Sequence, residues 1–225
     1  MENHRLYCIM TNKTTTLYFV RHGQTKANAD GVLQGQTDVP LDEVGVQQAK
    51  LLASRLKNVH FDKIYSSDLS RALVTAQAIA DTREIITTPQ LREWNFGIWQ
   101  GMKISEIKEK FAALHQIYSA DDPEFTVDGG ESTAEFQQRA ADFMREIARK
   151  HPGETVLCVS HGGFISRALR VVLQQPVMPY RPRIFNTAIS CFATEDGGKI
   201  GIWSSGTIRR ICSTPPWMMF EIITA

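Results

Sequence analysis

The segment Thr16-Leu17-Tyr18-Phe19-Val20-Arg21-His22-Gly23 decides how this chain folds. Its first five residues favour a β-strand because they are β-branched, aromatic or apolar, and the residues from Arg21 to Gly23 end the run. A second segment, residues 155–159 followed by Ser160-His161-Gly162-Gly163, repeats the order of strand, histidine and glycine. It is the most apolar strand candidate, which is typical of a central position in a parallel sheet. The sequence thus predicts two strands that end in the same way.

Strand-like and helix-like stretches alternate along the rest of the chain. Further strands are predicted at residues 62–66, 85–88, 189–193 and 199–203, the last two as a hairpin that turns at Gly197-Gly198. Helical spacing of apolar residues predicts helices at residues 42–57, 69–80, 102–118, 136–147 and 164–173. A capping box formed by Ser132 and Glu135 precedes the fourth of these helices. This alternation predicts an α/β fold, a three-layer α/β/α sandwich with a mostly parallel central sheet and helices on both faces.

The composition excludes several classes of partner. The formal net charge is +1, which gives no bulk field to attract nucleic acid or an anionic membrane, so neither is an expected partner. No run approaches the roughly 20 apolar residues of a membrane span, and residues 1–13 lack the apolar block of a signal peptide. We therefore expect a cytoplasmic protein.

The length of 225 residues fits one large domain with a lid. We predict a loose leader over residues 1–13, a single domain over residues 14–205 with a lid at about residues 95–130, and a tail of unknown role over residues 206–225. The four cysteines are far apart and form no paired spacing, which indicates neither a zinc site nor a disulfide framework.

Charged and titratable side chains fall where the predicted strands end. Arg21 and His22 follow the first strand, and His161 follows the most apolar one. Arg71 begins the helix after the second strand, and Glu93 follows the third by a short loop. In open α/β sheets, ligands bind beyond the carboxyl ends of the strands. We therefore expect these five side chains to surround an anion of the size of phosphate, with N–H groups of nearby helix starts added.

This set of side chains suits phosphoryl transfer with no metal or cofactor. A neutral imidazole nitrogen can attack phosphorus, and a covalent phosphohistidine divides one difficult step into two. We predict that His22 is this nucleophile and that Glu93 is the general acid and then the base for water, with Glu84 and Glu131 as competitors for the second role. The transferring phosphoryl group would be held by Arg21, Arg71 and His161.

Six ordered blocks of the sequence carry a family resemblance. They are Arg21-His22-Gly23-Gln24-Thr25 with Asn28, residues 33–41 with Gly45, residues 66–69 with Arg71-Ala72 and Thr75-Ala76, residues 91–93 with Phe96-Gly97 and Gln100-Gly101, residues 129–132, and residues 159–163. Together they cover roughly residues 15–205. In content and order the blocks resemble the histidine phosphatase superfamily, also called the phosphoglycerate mutase-like family.

The resemblance implies a phosphohistidine mechanism without a metal, on the fold of that family. It also implies that substrate or phosphate lies near Asn28, Gln34, Gly35, Thr37, Gly162 and Asn186. One position departs from the family pattern, because Gln24 stands where the family most often has glutamate. We expect little loss of activity from this change.

Other hydrolase mechanisms lack their signatures in this chain. The C-x5-R loop of a cysteine phosphatase would run from Cys158 to an arginine, but the residue at that spacing is Phe164. Ser160 lies in Val-Ser-His-Gly rather than in G-x-S-x-G, and a nucleotide-binding P-loop is absent. No His-x-x-x-His pair indicates a metallohydrolase.

Two alternatives to a phosphomonoester hydrolase stay open. A cofactor-dependent phosphoglycerate mutase, an isomerase of the same superfamily, would need extra basic residues, yet residues 101–130 contain no arginine. A non-catalytic phospho-ligand sensor on the same fold is the second alternative. We favour the hydrolase, with a small phosphorylated metabolite as its substrate, and leave a homodimer open as the assembly.

The remaining histidines and the lid aromatics have plainer interpretations. We expect four histidines on the surface, namely His4, His60, His115 and His151. Trp94, Phe96 and Trp99 are expected to pack inside the lid rather than to form a stacking platform.

Overall fold

A seven-stranded sheet forms the centre of the fold. The computed structural model describes residues 14–175, 182–195, 199–204 and 207–209. The strands are β1 (Thr15–Arg21), β2 (Lys63–Ser67), β3 (Ile86–Thr88), β4 (Thr155–Ser160), β5 (Ile189–Glu195), β6 (Lys199–Ser204) and β7 (Thr207–Arg209). They lie in the order β3-β2-β4-β1-β5-β6-β7.

The mostly parallel sheet that the sequence predicts is confirmed. β3, β2, β4 and β1 are parallel neighbours, and β5 pairs with β1 in the antiparallel direction. The predicted late hairpin is also present, because β5 and β6 are antiparallel partners, although its turn at Gly197-Gly198 lies outside the described residues. β7 adds one further antiparallel strand. The predicted leader, residues 1–13, and residues 210–225 lie outside the described residues as well.

Helices cover both faces of the sheet. They are α1 (Lys26–Ala29), α2 (Glu43–Leu56), α3 (Ser70–Ala80), α4 (Ile104–Lys110), α5 (Ala112–Ser119), α6 (Thr133–Lys150) and α7 (Gly162–Leu173), with 3-10 turns at Pro89–Leu91 and Gly97–Trp99. The predicted capping box is present, because the Ser132 hydroxyl accepts from the Glu135 N–H and the Glu135 carboxylate accepts from the Ser132 N–H. Both bonds satisfy N–H groups that the first turn of α6 cannot pair internally.

The single helix predicted over residues 102–118 is wrong, because the chain breaks it at Phe111. The backbone of Phe111 has φ −127° and ψ 40°, which ends α4 and starts α5 at once. The break turns the Phe111 ring toward Trp99, with ring centroids 6.0 Å apart. Tertiary packing inside the lid therefore outweighs the helical periodicity of its sequence.

The strands send alternate side chains into two hydrophobic cores. On β1, Leu17 and Phe19 face α6 and α7, where Phe143 and Phe164 pack against Phe19. Val20 points to the opposite face and packs in a second core with α2 and α3. Each fully buried side chain of this size contributes roughly 1.5–3 kcal/mol. β4 is buried from Val156 to Ser160 and lies between β2 and β1, which confirms the central position that the sequence predicts for it.

One of the histidines expected at the surface is buried. His151 is 4% exposed, and its two ring nitrogens bind the Tyr65 hydroxyl at 2.9 Å and the Glu154 carboxylate at 2.7 Å. The prediction failed because these partners come from another strand and from a local turn. His60 is exposed as expected, His115 is partly exposed, and His4 lies outside the described residues.

The segment for which the sequence predicts a lid packs onto the body of the protein through aromatic rings and a buried ion cluster. Trp94, Phe96 and Trp99 are each at most 5% exposed, which confirms the packing role expected for them. Asp121, just after α5, binds Arg167 and Arg170 of α7. The lid is therefore tied to the same helix that begins at the carboxyl end of β4.

Candidate active site

The register of the two central strands brings the two histidines together. Arg21 of β1 pairs with Ser160 of β4 in parallel register, so His22 and His161 are the next residues on neighbouring strands. The His22 N–H donates to the Ser160 carbonyl at 3.0 Å, and the imidazole centroids lie 5.1 Å apart. The predicted convergence of these two histidines is present in the structure.

His22 is held as a neutral ring with one free nitrogen. It is 2% exposed, and its Nδ1 lies 2.6 Å from the Gly23 carbonyl oxygen. A carbonyl can only accept, so Nδ1 carries the proton and Nε2 keeps its lone pair. Among the residues that the structure describes, none forms a hydrogen bond with Nε2. Burial lowers the pKa of His22 well below its ordinary value, and the charges of Arg21 and Arg71 lower it further.

His161 is held at both ring nitrogens. It is fully buried, its Nε2 lies 2.9 Å from Ser67 Oγ, and its Nδ1 accepts from Arg71 Nε at 3.3 Å. An acceptor at Nδ1 places the proton on Nε2, which donates to the serine. Burial lowers the pKa of His161 well below its ordinary value, and Arg71 adds to this effect. His161 is therefore also neutral, but it is oriented from two sides.

Arg71 connects His161 to the loop that contains Gly35 and Thr37. Arg71 is 1% exposed, and its two terminal nitrogens donate to the carbonyls of Thr37 and Gly35, each at 2.7 Å. Burial lowers the pKa of Arg71 to about 10, while the nearby Glu93 carboxylate opposes this shift. The guanidinium thus stays cationic at neutral pH. Gly35 adopts φ +54°, which a glycine accepts without strain.

Arg21 brings a second guanidinium, which is fastened to the loop before β5. Its Nη1 donates to the Ile184 carbonyl at 2.6 Å. Its Nε is buried and has no hydrogen-bond partner among the described residues, so this donor is available to a ligand oxygen. Burial lowers the pKa of Arg21, and the Glu93 carboxylate again opposes the shift. The site thus holds two cations, one carboxyl group and two neutral imidazoles.

Glu93 lies against the first turn of α7. Its Oε2 accepts from the Gly163 N–H at 3.0 Å, and its Oε1 accepts from the Trp94 N–H at 2.9 Å. A Cβ at residue 163 would lie 2.1 Å from Oε1, so only glycine at this position leaves room for the carboxyl group. The N-terminus of a helix favours a negatively charged neighbour. This contact places Glu93 beside the helix that follows His161.

An ion pair between Arg139 of α6 and Glu131, which precedes that helix, holds the segment that carries Glu93. Arg139 binds both oxygens of Glu131 at 2.8 Å and donates to the backbone carbonyls of Gln90 and Arg92 at 2.8 Å and of Glu93 at 3.1 Å. Glu131 in turn accepts from the Asn95 N–H at 2.9 Å. The sequence left Glu131 open as an alternative to Glu93 for the role of general acid. In the structure, Glu131 instead holds this segment.

The residues predicted to lie near substrate fall into two groups. Asn186 donates to the His22 carbonyl at 3.0 Å and to the Asn28 side chain at 3.2 Å, so these two asparagines border the first histidine. Gly162 lies beside the Arg21 guanidinium, since a Cβ there would be 3.4 Å from its Nε. Gly35 and Thr37 contact the site through their carbonyls on Arg71. Gln34 is buried and accepts from the Thr25 hydroxyl at 3.0 Å, one step further away.

A family model described as histidine phosphatase superfamily, branch 1, matches residues 17–203. The chain belongs to the histidine phosphatase superfamily. It is an enzyme of the histidine phosphatase and phosphoglycerate mutase type, as the resemblance of the six sequence blocks implied.

Named relatives of this histidine phosphatase include both phosphatases and mutase-like proteins. It is 38% identical over 169 residues to a metal-independent phosphoserine phosphatase of Arabidopsis thaliana, covering 73% of this chain and 71% of that one. It is 35% identical over 191 residues to phosphoglycerate mutase-like protein 4 of the same plant, covering 82% of each. A phosphoserine phosphatase of Entamoeba histolytica in complex with 3-phosphoglyceric acid superposes with a TM-score of 0.72 at 33% identity, covering 79% of this chain and 90% of that one.

Sequence reasoning missed the roles of three residues that shape the site of this histidine phosphatase. Ser67 orients His161, Gly163 receives Glu93, and Arg139 clamps the segment of Glu93. The sequence does carry a signal for Ser67, because this residue ends β2 at the same edge of the sheet as the histidines. Arg139 carried no signal, because it lies in the second turn of a long amphipathic helix with many charged residues.

No group of three or more His, Cys, Asp or Glu side chains is placed to bind a metal ion in the described part of this histidine phosphatase. No helix of that part is long and apolar enough to cross a membrane.

Proposed function

We propose that this protein is a phosphomonoester hydrolase that forms a phosphohistidine on His22. The observation that carries the proposal is the state of that imidazole. Nδ1 donates to its neighbour's carbonyl, burial and the charges of Arg21 and Arg71 keep the ring neutral, and Nε2 retains a lone pair. A nucleophile is effective when it is deprotonated and pre-aimed, and His22 meets both conditions.

The first half-reaction transfers the phosphoryl group to the protein. The step starts from the protonated form of Glu93, which the second half-reaction regenerates. His22 Nε2 attacks phosphorus, the bond between phosphorus and the ester oxygen breaks, and Glu93 gives its proton to the departing oxygen. Arg21 Nε and the Arg71 guanidinium stabilise the charge on the three phosphoryl oxygens. These contacts need no movement of the guanidiniums, because the carbonyls of Ile184, Gly35 and Thr37 already hold them.

The second half-reaction returns the enzyme to its starting state. Water attacks the phosphohistidine, the bond between phosphorus and Nε2 breaks, and Glu93, now a carboxylate, takes a proton from the water. Inorganic phosphate and neutral His22 are the products. The same carboxyl group serves both steps because it lies against α7, held by Gly163 and Trp94.

Small phosphorylated metabolites are the substrate class that we propose. The relatives named phosphoserine phosphatase, and the complex of one such enzyme with 3-phosphoglyceric acid, support substrates of this size. The mutase alternative is less well supported, because the lid segment, residues 101–130, holds no arginine to retain a phosphorylated intermediate product. A mutase must protect its phosphohistidine from water, whereas a hydrolase must let water reach the phosphohistidine.

Phosphate release from p-nitrophenyl phosphate in the presence of EDTA tests this proposal. We expect steady turnover by the full chain and none by the His22→Ala variant. A parallel assay of 3-phosphoglycerate isomerisation with 2,3-bisphosphoglycerate measures mutase activity. Isomerisation faster than phosphate release would replace the hydrolase with the mutase, and phosphate binding without any turnover would leave the sensor.

A further inference from the structure

The loop of residues 182–188 forms one wall of the site. The Ile184 carbonyl accepts from Arg21, the Thr187 N–H donates to the Arg21 carbonyl at 3.0 Å, and the Asn186 amide donates to the His22 carbonyl. Three contacts therefore fix this loop to Arg21, the last residue of β1, and to His22, which follows it. Side chains of the loop that are not used in these contacts are held at the edge of the site.

Arg183 of this loop is exposed, and it makes no ion pair with any residue that the structure describes. Its guanidinium carbon instead lies 5.1 Å from the ring centroid of Phe185, which is itself 49% exposed. Burial lowers the pKa of Arg21, and the positive charge of the nearby Arg183 lowers it further. Because the carbonyl of the adjacent Ile184 binds Arg21, the exposed Arg183 adds positive charge near that arginine.

The two buried arginines already match the charge of a phosphoryl group. Arg71 is held by three bonds within the protein, and Arg21 is fastened to Ile184. A third guanidinium that is exposed, restrained by an aromatic face and not ion-paired within the described part of the chain is suited to an anion that extends outward from the bound phosphate. A neutral leaving group would gain nothing from it.

We propose that Arg183 binds a second anionic group of the substrate, at the mouth of the site. The proposal rests on the proposed function and narrows its substrate class. The preferred substrates are phosphomonoesters with a carboxylate or another phosphate a few bonds from the ester. Arg183 is then a specificity-determining residue that acts on binding rather than on the chemical steps.

Matched pairs of competing ligands test this assignment. Inhibition constants against p-nitrophenyl phosphate turnover are measured for 3-phosphoglycerate and glycerol 3-phosphate, which differ in the carboxylate, and for fructose 1,6-bisphosphate and fructose 6-phosphate, which differ in a phosphate. The wild type is compared with Arg183→Gln, Arg183→Lys and the control Arg145→Gln, an exposed arginine of α6 that pairs with Asp142.

We expect Arg183→Gln to weaken inhibition by the member with the second anionic group, in at least one pair, about fivefold, as for an exposed charge pair. The other member of that pair and the KM for p-nitrophenyl phosphate should change little. Arg183→Lys should restore part of the loss, and Arg145→Gln should behave as the wild type. The pair that responds identifies the second anion as carboxylate or phosphate.

Equal inhibition ratios in the wild type and Arg183→Gln for both pairs would overturn the assignment, even with full p-nitrophenyl phosphate turnover. If the wild type shows no turnover, the proposed function fails instead. Calorimetric dissociation constants for the same four ligands then decide the role of Arg183 separately, by the same ratios.

Discussion

The two halves of the site are built in different ways. The strand-end half consists of His22 and His161, whose positions follow from the pairing of two adjacent buried strands. The acid half consists of Glu93, which lies on an irregular segment after β3. That segment is held by side chains from elsewhere, including Arg139 of α6 and Gln36, whose amide donates to the Glu93 carbonyl at 3.1 Å.

This difference teaches where the site is robust and where it is adjustable. Displacing His22 would require a shift in register between β1 and β4, which would break a ladder of backbone hydrogen bonds and bury the wrong side chains. Displacing Glu93 requires the loss of only a few hydrogen bonds from side chains to backbone. Loss of the nucleophile should therefore abolish the reaction, whereas changes in the acid half should slow it to an extent that depends on the leaving group.

The largest effect is expected from the nucleophile. His22→Ala should lower kcat by about 10⁴-fold or more, because no other group can form the covalent intermediate. His161→Ala should cost about 10²–10³-fold, the effect of losing one group that orients or stabilises the transferring charge. Labelling with a ³²P-phosphomonoester, quenched in alkaline detergent because the P–N bond of phosphohistidine hydrolyses in acid, should give phosphoprotein in His161→Ala and none in His22→Ala. Equal labelling of both variants would reject His22 as the nucleophile.

A graded effect is expected in the acid half. Glu93→Gln keeps the shape of the side chain but cannot release a proton, so kcat for an alkyl phosphate should fall about 10²–10⁴-fold. The loss in the phosphorylation step should be much smaller for p-nitrophenyl phosphate, whose leaving group departs as a stable anion. Single-turnover phosphorylation rates for both substrates make this comparison. An equal loss for good and poor leaving groups would count against Glu93 as the acid.

A smaller effect is expected from the clamp on the acid segment. Arg139→Lys keeps the charge but loses the fork that reaches Glu131 and three carbonyls, so we expect kcat for alkyl phosphates to fall about tenfold. The KM for p-nitrophenyl phosphate should change little. The control is Arg145→Lys, on the same helix, in an exposed pair with Asp142. If both variants lose the same activity, or if the loss in Arg139→Lys is the same for every leaving group, Arg139 does not act through Glu93.

The smallest effect concerns stability and pH. The pKa of His22 and of His161 is lower in the folded protein than the ordinary value of 6.5. Below about pH 6.5 the unfolded chain therefore binds more protons, and the free energy of unfolding falls as the pH falls toward the folded-state pKa. Each group contributes up to about 1.4 kcal/mol per pH unit. Urea unfolding at several pH values should show a shallower slope for His22→Asn and an unchanged slope for the exposed His60→Asn.

Such unfolding curves also test the protonation state of His22. A slope that is unchanged by His22→Asn would mean that this ring is not buried in its neutral form. That result would remove the basis for an unprotonated Nε2 at acidic pH.

The sequence allowed much of the fold and half of the site to be predicted. The strands at Thr15–Arg21 and Thr155–Ser160 were recognisable because β-branched and apolar runs ending in His-Gly reflect local preferences and burial. Their convergence followed from the rule that parallel strands present their carboxyl ends at one edge of the sheet. The break at Phe111 and the burial of His151 were not predictable in this way, because both depend on partners distant in the chain.

The sequence by itself determined which chemical groups are present and at which strand ends they stand. Only the tertiary structure decided how each group is held. Nothing local distinguishes His22, which bonds to its own neighbour, from His161, which Ser67 and Arg71 orient from two other elements. The physical reason is that periodicity and propensity act over a few residues, whereas hydrogen bonds and burial set tautomers, charge states and positions across the whole fold.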